Sequence, residues 1–235
     1  MILGVIPARY GSTRFPGKPL VIIQGKSMIQ RVYEQCMKAK SLSGVIVATD
    51  DQRIFDHVES FGGEVIMTAS HHQSGTERMV EVAITREGYT HLINIQGDEP
   101  FINPAQIDFL GTEMLNNHES GIFTLIKPLT DPGKIHDPNI VKVVCDIKGN
   151  ALYFSRSAIP FPRNNQKTQY FKHIGIYGFR REVLLQVPQM PAVMLEESES
   201  LEQLRWLANG YKIRTLVTNH ESISVDTPED LKGFL

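Results

Sequence analysis

Three cations crowd one short stretch near the start of the chain, Pro7-Ala8-Arg9-Tyr10-Gly11-Ser12-Thr13-Arg14-Phe15-Pro16-Gly17-Lys18-Pro19-Leu20. The stretch follows an apolar run, and open α/β sheets bind their ligands just beyond the carboxyl ends of such strands. Small residues let backbone N–H groups approach an anion, while Arg9, Arg14 and Lys18 add charge. The pattern points to a phosphate-bearing ligand. Two familiar phosphate devices are missing. Gly25-Lys26-Ser27 looks like the end of a P-loop, but Leu20 stands where its first glycine belongs. No Gly-x-Gly-x-x-Gly follows a strand either.

A second constellation is acidic. In Gln96-Gly97-Asp98-Glu99-Pro100, Asp98 sits at the end of an apolar run. There a carboxylate can reach a divalent ion held by phosphate oxygens, since magnesium takes one or two carboxylates and fills its other positions with phosphate and water. Asp98 could equally be a turn or cap residue. Asp226, in Ser224-Val225-Asp226-Thr227-Pro228-Glu229-Asp230, is open to the same two readings. Ser74-Gly75-Thr76-Glu77-Arg78 reads as a helix start, whose unpaired N–H groups suit an anion or a base edge. The adjoining His71-His72 has no acid or cysteine beside it and reads as exposed loop.

Positioning these residues requires alternating strands and helices. Ile2–Ile6, Val45–Ala48, Glu64–Met67 and His91–Ile95 are short and nearly all apolar, as parallel strands covered on both faces are. Between them Ser27 caps a helix with Met28, Ile29, Val32, Tyr33 and Cys36 on one face. Asp50 or Asp51 starts a second, ended by Gly62-Gly63. A third runs from Thr76 to about Thr85, and a fourth follows Asn103-Pro104 through Ile107, Leu110 and Met114. This succession predicts a doubly wound, mostly parallel mixed α/β sheet. The second half changes character, with an antiparallel excursion. A hairpin turns at Ile147-Lys148-Gly149-Asn150 between Asn139–Asp146 and Ala151–Ser155. Lys172–Phe179 and Lys212–Val217 are strands, Glu199–Asn209 is a helix, and Thr227-Pro228 opens a short final helix. Pro160–Lys167 is the best candidate for a mobile loop. We read one domain over residues 1–235.

Composition sets the bounds. The chain has 235 residues, 41% of them apolar and 21% charged, which excludes a disordered or fibrous protein. Its formal charge of −2 gives no general polyanion-binding surface, so neither nucleic acid nor a membrane is an expected partner. The two cysteines, Cys36 and Cys145, form no CxxC, which excludes a zinc ribbon and a disulfide scaffold. Met1 leads straight into the first strand without a basic leader, so the expected compartment is the cytoplasm.

Taken in order, these segments resemble the 3-deoxy-D-manno-octulosonate (Kdo) cytidylyltransferases. The likeness rests on Pro7–Leu20, Val47-Ala48-Thr49-Asp50, His72-Gln73 with Ser74–Arg78, Asn94–Pro100, Leu152-Tyr153-Phe154-Ser155-Arg156, His173-Ile174-Gly175-Ile176-Tyr177 and Leu201-Glu202-Gln203-Leu204-Arg205. The first and fourth alone suggest the wider nucleotidyltransferase group, with its Rossmann-like fold; the last three point to the Kdo branch. The resemblance implies that CTP and Kdo give CMP-Kdo and pyrophosphate, with Mg2+ required. It also implies a cytoplasmic step of lipopolysaccharide synthesis and a homodimer, with about 128–200 forming the sugar-binding and dimerisation excursion. On the family pattern Arg9 and Lys18 contact the triphosphate, with Arg14 close by. Ala8, Gly11, Ser74, Gly75, Thr76, Arg78 and Gln96 line the cytidine side, and Asp98 and Asp226 hold magnesium. Arg156, His173, Tyr177, Glu202 and Gln203 face the sugar acid.

Read without the family pattern, Glu202 and Gln203 are a solvated helix face, and His173 in its apolar strand is a core histidine. Tyr177, four residues on, lies on the same strand face as His173, which favours a shared pocket. Other readings compete with the leading one. They are a cytidylyltransferase for another acidic sugar, such as amino-Kdo or a sialic acid, and a catalytically inactive nucleotide-binding protein. Retention of Lys18, Asp98 and Asp226 together weighs against inactivity.

Overall fold

Alternate side chains of the first strand serve two different cores. In the computed structural model, which describes residues 1–11, 15–164, 168–221 and 223–233, that strand is β1 (Ile2–Ala8). It is followed by a small ribbon of β2 (Ile22–Ile23) and β3 (Lys26–Ser27), then α1 (Met28–Cys36), β4 (Gly44–Thr49), α2 (Gln52–Ser60), β5 (Val65–Met67), α3 (Gly75–Thr85), β6 (His91–Asn94) and α4 (Pro104–Asn116). Leu3 and Val5 pack with Met79, Val82 and Ala83 of α3. Ile2 and Ile6 pack with Ile29 and Val32 of α1 and Ile107 and Leu110 of α4. A two-residue side-chain period delivers apolar groups to both faces. That is why the strand carries no alternating polar residues.

The second half comprises β7 (Ile122–Leu129), α5 (Pro132–Ile135), β8 (Lys142–Cys145), β9 (Ala151–Ser155), β10 (Tyr170–Arg180), α6 (Arg181–Leu184), α7 (Met194–Glu199), α8 (Gln203–Ala208) and β11 (Ile213–Val217). Seven strands form the main sheet in the order β11-β7-β10-β6-β1-β4-β5. β1 is parallel to β4 and β6, β4 to β5, and β11 to β7. Only β10 runs the other way within this row, antiparallel to both β6 and β7. The sheet is therefore the mostly parallel mixed one expected. The β8–β9 hairpin hangs from β10 as the antiparallel excursion. Of residues 128–200, β10 is not an excursion at all, since it fills the middle of the main sheet.

Helix starts follow the sequence closely. Ser27, Asp51, Ser74 and Asn103 each accept a backbone N–H from their own first turn. The Gly25-Lys26-Ser27 stretch belongs to the β2–β3 ribbon, and Lys26 pairs with Glu34.

Three expectations need correction. β7 was not anticipated. Its run contains Pro128, which cannot donate to a ladder. The helix expected over Glu199–Asn209 is two helices, because Ser200 takes a left-handed φ of 51° that ends α7 before α8 begins. At the far end Thr227 caps no helix. Instead Asp230 Oδ2 reaches back to accept from the backbone N–H groups of Asp226 and Thr227, and only a 3-10 turn, Asp230–Gly233, follows. Part of the proposed mobile loop, 165–167, lies outside the described residues.

Ser27 joins two elements: its Oγ accepts from Gln30 N at 3.2 Å and lies 2.7 Å from His57 Nε2 of α2. Replacing a Ser cap by Ala costs about 1 kcal/mol. We expect Ser27→Ala to lower stability by about that amount, read as a shift in the urea midpoint. An unchanged midpoint would show that the cap contributes nothing.

Candidate active site

Because β1 and β6 are parallel, their carboxyl ends leave the sheet side by side. The chain beyond β1 carries Arg9 and Gly11, and the chain beyond β6 carries Gln96, Gly97 and Asp98. The two loops touch at Gly97, where an added Cβ would sit 2.9 Å from the Pro7 carbonyl oxygen. Any side chain there would push them apart. Between the loops lies a cleft of about 300 Å³, lined among others by Ala8, Arg9, Gly11, Lys18, Gln96 and Asp98. A second cleft of about 340 Å³ opens beside it, lined among others by Gln96, Asp98, Lys172, His173, Ser224 and Asp226. Gln96 and Asp98 line both, so the two clefts meet at these residues.

Lys18 stands at that junction. Gly17, at φ 72°, takes the left-handed turn that starts its 3-10 segment and donates its N–H to the Tyr10 carbonyl. The Lys18 ammonium donates to Asp98 Oδ2 at 2.8 Å and Asp226 Oδ1 at 3.3 Å. Two acids far apart in sequence thus converge on one cation. Asp226 arrives there because its neighbour Val225 is fully buried against Ile23 and Met28, and the Val225 N–H donates to the Asp98 carbonyl at 2.9 Å. Two carboxylates and one ammonium leave one unit of negative charge, and all the anionic donors are hard oxygens.

Gln96 is pinned in turn. Its Nε2 donates to the Gly175 carbonyl at 2.8 Å. Gly175 lies where β10 breaks register with β7, between Ile174 and Tyr177. The buried Thr124 hydroxyl fills that irregularity. It lies 2.8 Å from the Ile176 carbonyl, to which it donates, and 3.0 Å from His173 Nε2. A hydroxyl has one proton, so with that proton on the carbonyl it accepts from Nε2–H, which places the imidazole proton on Nε2. Burial pushes the His173 pKa down to about 3, so the ring is neutral. Tyr177 remains on the same face, its ring 5.1 Å from that of His173 and edge-on to Trp206. Burial, with a smaller effect from the Glu202 charge, raises its phenol well above the ordinary range.

The remaining expected residues are placed differently. Gly75 lines the first cleft, but the hydroxyls flanking it turn away: Ser74 Oγ and Thr76 Oγ1 donate to the Glu202 carboxylate at 3.0 and 2.6 Å. This pair ties α3 to the start of α8. Burial raises the Glu202 pKa, and the two hydroxyl donors partly oppose the rise. Gln203 is buried, so this segment is not the solvated face its sequence suggested. Arg78 is fully buried and lines neither cleft. Its guanidinium bonds Thr68 Oγ1 and lies 3.3 Å from Asp50 Oδ2. Arg156 is also committed elsewhere, donating to the carbonyls of Glu199 at 2.7 Å and Pro138 at 3.0 Å. His72 is not loop surface but sits on the Glu81 carboxylate. Arg9 is exposed at the cleft mouth, and Arg14 lies outside the described residues. Sequence reasoning missed Lys172, Thr124 and Glu199. The last accepts from Ser155 Oγ at 2.6 Å and from the Arg156 N–H at 2.9 Å. The first two carry a signal only once strand register is known.

A cytidylyltransferase family model matches residues 3–213. The 3-deoxy-manno-octulosonate cytidylyltransferase of Solibacter usitatus is 51% identical, with 98% of this chain and 92% of the relative covered. Its counterpart from Fusobacterium nucleatum is 50% identical, over 99% and 95%. Among solved structures, CMP:2-keto-3-deoxy-manno-octonic acid synthetase complexed with CTP superposes with a TM-score of 0.96 at 46% identity, covering 99% of this chain and 95% of that one. A 4-diphosphocytidyl-2C-methyl-D-erythritol synthase from Anaerococcus prevotii, at 13% identity and TM-score 0.65, shares the fold alone.

The neutral His173 has a consequence for acid stability. Its pKa falls from 6.5 to about 3 on folding, so between those values the unfolded chain takes up a proton that the folded chain does not. Stability is therefore full above that window and declines as pH falls through it, by about 1.4 kcal/mol per pH unit for one proton. We expect His173→Gln to remove this part of the slope, measured as urea midpoints between pH 7 and pH 4 (roughly the usable part of the window). Parallel curves for both proteins would show that His173 is not held neutral.

Proposed function

The chain belongs to the cytidylyltransferase family, and from that premise we infer that it transfers CMP from CTP to the anomeric hydroxyl of Kdo, giving CMP-Kdo and pyrophosphate. One observation carries the reading to residues: the two clefts share Gln96 and Asp98. A nucleotide in one and a sugar acid in the other would bring the α-phosphorus and the attacking hydroxyl together there.

The reaction needs positioning and charge neutralisation more than a protein nucleophile. Both phosphate groups are anionic, and negative charge grows on the departing pyrophosphate. Arg9 and Lys18, on the nucleotide side, are placed to stabilise it. Backbone at Ala8, Gly11 and Gly75 presents close-approach surface to the nucleotide. On the acceptor side His173 is held neutral and oriented by Thr124, so it offers hydrogen bonding rather than charge. Neither cysteine is among the residues lining the two clefts: Cys36 is buried among α1 and α4 residues, and burial pushes its thiol above the ordinary range.

We propose Mg2+ as the cofactor, with Asp98 and Asp226 as its protein ligands. The donor set fits: two carboxylates within reach of one ammonium, with room left for phosphate and water. When bound, magnesium would supply Lewis-acid charge neutralisation at the phosphate oxygens. Lys18 keeps the two carboxylates converged.

We further propose a homodimer formed through the 128–200 segment. Exposed Ile147, Leu152 and Phe161 on and beside the β8–β9 hairpin support it. Among the described residues no helix is long and apolar enough to cross a membrane. A cytoplasmic role in lipopolysaccharide synthesis is our reading from the reaction.

The test is pyrophosphate release from CTP, Kdo and Mg2+. We expect saturable release with the unaltered protein, and none would overturn the reading. Asp98→Asn and Asp226→Asn should each lower kcat by about 10²–10³, the scale for losing one group that stabilises transition-state charge. Both should still unfold in one cooperative urea transition, which shows that the fold survives. A variant with full turnover and unchanged magnesium dependence would remove its residue from the metal site.

A further inference from the structure

The acceptor carries a carboxylate, and the cleft it must enter is lined by Asp98, Glu99 and Asp226. An anion entering such a place needs a counter-charge. Arg156, which the family pattern turns toward the sugar acid, has its guanidinium taken up by main-chain carbonyls. Among the described residues lining that cleft, Lys172 bears the cationic side chain.

Strand register shows how unusual its setting is. Lys172 of β10 stands directly opposite Lys127 of β7 on one side and Lys142 of β8 on the other. Like charges placed opposite one another across strands are unfavourable. Lys142 has its charge solvated by the main chain, with its ammonium donating to the carbonyls of Asp137, Ile140 and Arg156. Lys127 and Lys172 share a single carboxylate, Glu221, one on each oxygen. The trio keeps one unit of positive charge. An ammonium has three donors. Among the described residues, the hydrogen bond that Lys172 makes goes to Glu221. Two donors of a half-buried cation therefore remain for whatever enters the cleft.

We propose that Lys172 receives the carboxylate of the acceptor sugar, with Glu221 holding the ammonium in place. This rests on the cytidylyl-transfer reading above and adds the residue that selects an acidic acceptor. Lys172 binds and selects; it does not take part in bond making.

The test compares Kdo with its methyl ester, which has the same shape without the charge. Pyrophosphate release is measured for the unaltered enzyme, Lys172→Met, Lys172→Arg and Lys127→Met, with the acceptor varied at saturating CTP, then CTP varied at saturating Kdo, and Mg2+ in excess throughout. A charged hydrogen bond lost from binding corresponds to about a ten- to hundredfold change. We expect Lys172→Met to raise KM for Kdo by that factor while KM for CTP stays within about twofold. Its preference for acid over ester should collapse, and Lys172→Arg should restore most of it. Lys127→Met, which takes one positive charge from the trio without removing the donor that lines the cleft, should raise KM for Kdo less than Lys172→Met does and keep the preference for acid over ester. Equal rises in KM for both substrates, or an undiminished preference for the acid in Lys172→Met, would overturn the proposal. No pyrophosphate from the unaltered enzyme would overturn the cytidylyl-transfer reading itself, and this proposal with it.

Discussion

The junction of the two clefts is organised around two acids, Asp98 and Asp226, that share one ammonium. Two carboxylates brought toward one cation repel each other, and the less water between them the more strongly. The structure opposes that in two ways. The Lys18 ammonium lies between the acids. The Val225 N–H to Asp98 carbonyl bond fixes one backbone against the other, anchored by the buried Val225 side chain. Neither device is local in sequence. Lys18 comes from the loop after β1, Asp98 from the loop after β6 and Asp226 from beyond β11. The parallel order of β1 and β6 is what makes the first two neighbours.

The single reversed strand explains why there are two clefts and not one. The first cleft is built from loops leaving parallel strands, where open α/β sheets ordinarily bind ligands. The second is lined by β10, which enters the sheet from the opposite direction and so brings the middle of a strand, not its end, to the same place. A regular strand could not do this with Gly175. The break in register between Ile174 and Tyr177 turns its carbonyl to Gln96, and Thr124 fills the gap that the break leaves. Gln96 is thereby fixed from one side by β6 and from the other by β10.

The parallel half of the fold was legible because local rules suffice there. Ser27, Asp51, Ser74 and Asn103 announce helices by their own side-chain chemistry, and short apolar runs between caps can only be covered strands. The second half was less legible, since its order depends on pairing. Nothing local says that β10 lies between β6 and β7, or that Ser200 would take a left-handed turn inside an apparent helix. The same divide runs through the site. The cations and acids that stand at strand ends could be read from type and position. Arg78 and Arg156 could not, because what a guanidinium touches is settled by packing: one faces Thr68 and Asp50, the other a set of carbonyls. The Lys127, Lys172 and Lys142 row is invisible until register is known.

Glu202 shows how the two halves are made to act as one. It belongs to the start of α8, late in the chain, yet its carboxylate accepts from Ser74 and Thr76 at the start of α3, beside the first cleft. Ser74 Oγ has one proton, which goes to Glu202, and its lone pair accepts the Glu77 N–H that begins the helix. One hydroxyl therefore caps α3 and anchors α8. Gly75 lines the first cleft between these two hydroxyls. Any shift of α8 that moved Glu202 would pull on both residues flanking Gly75. A buried carboxylate stripped of its donors is costly. The starts of α3 and α8 are thus constrained to move together, through side-chain oxygens that belong to opposite halves of the chain.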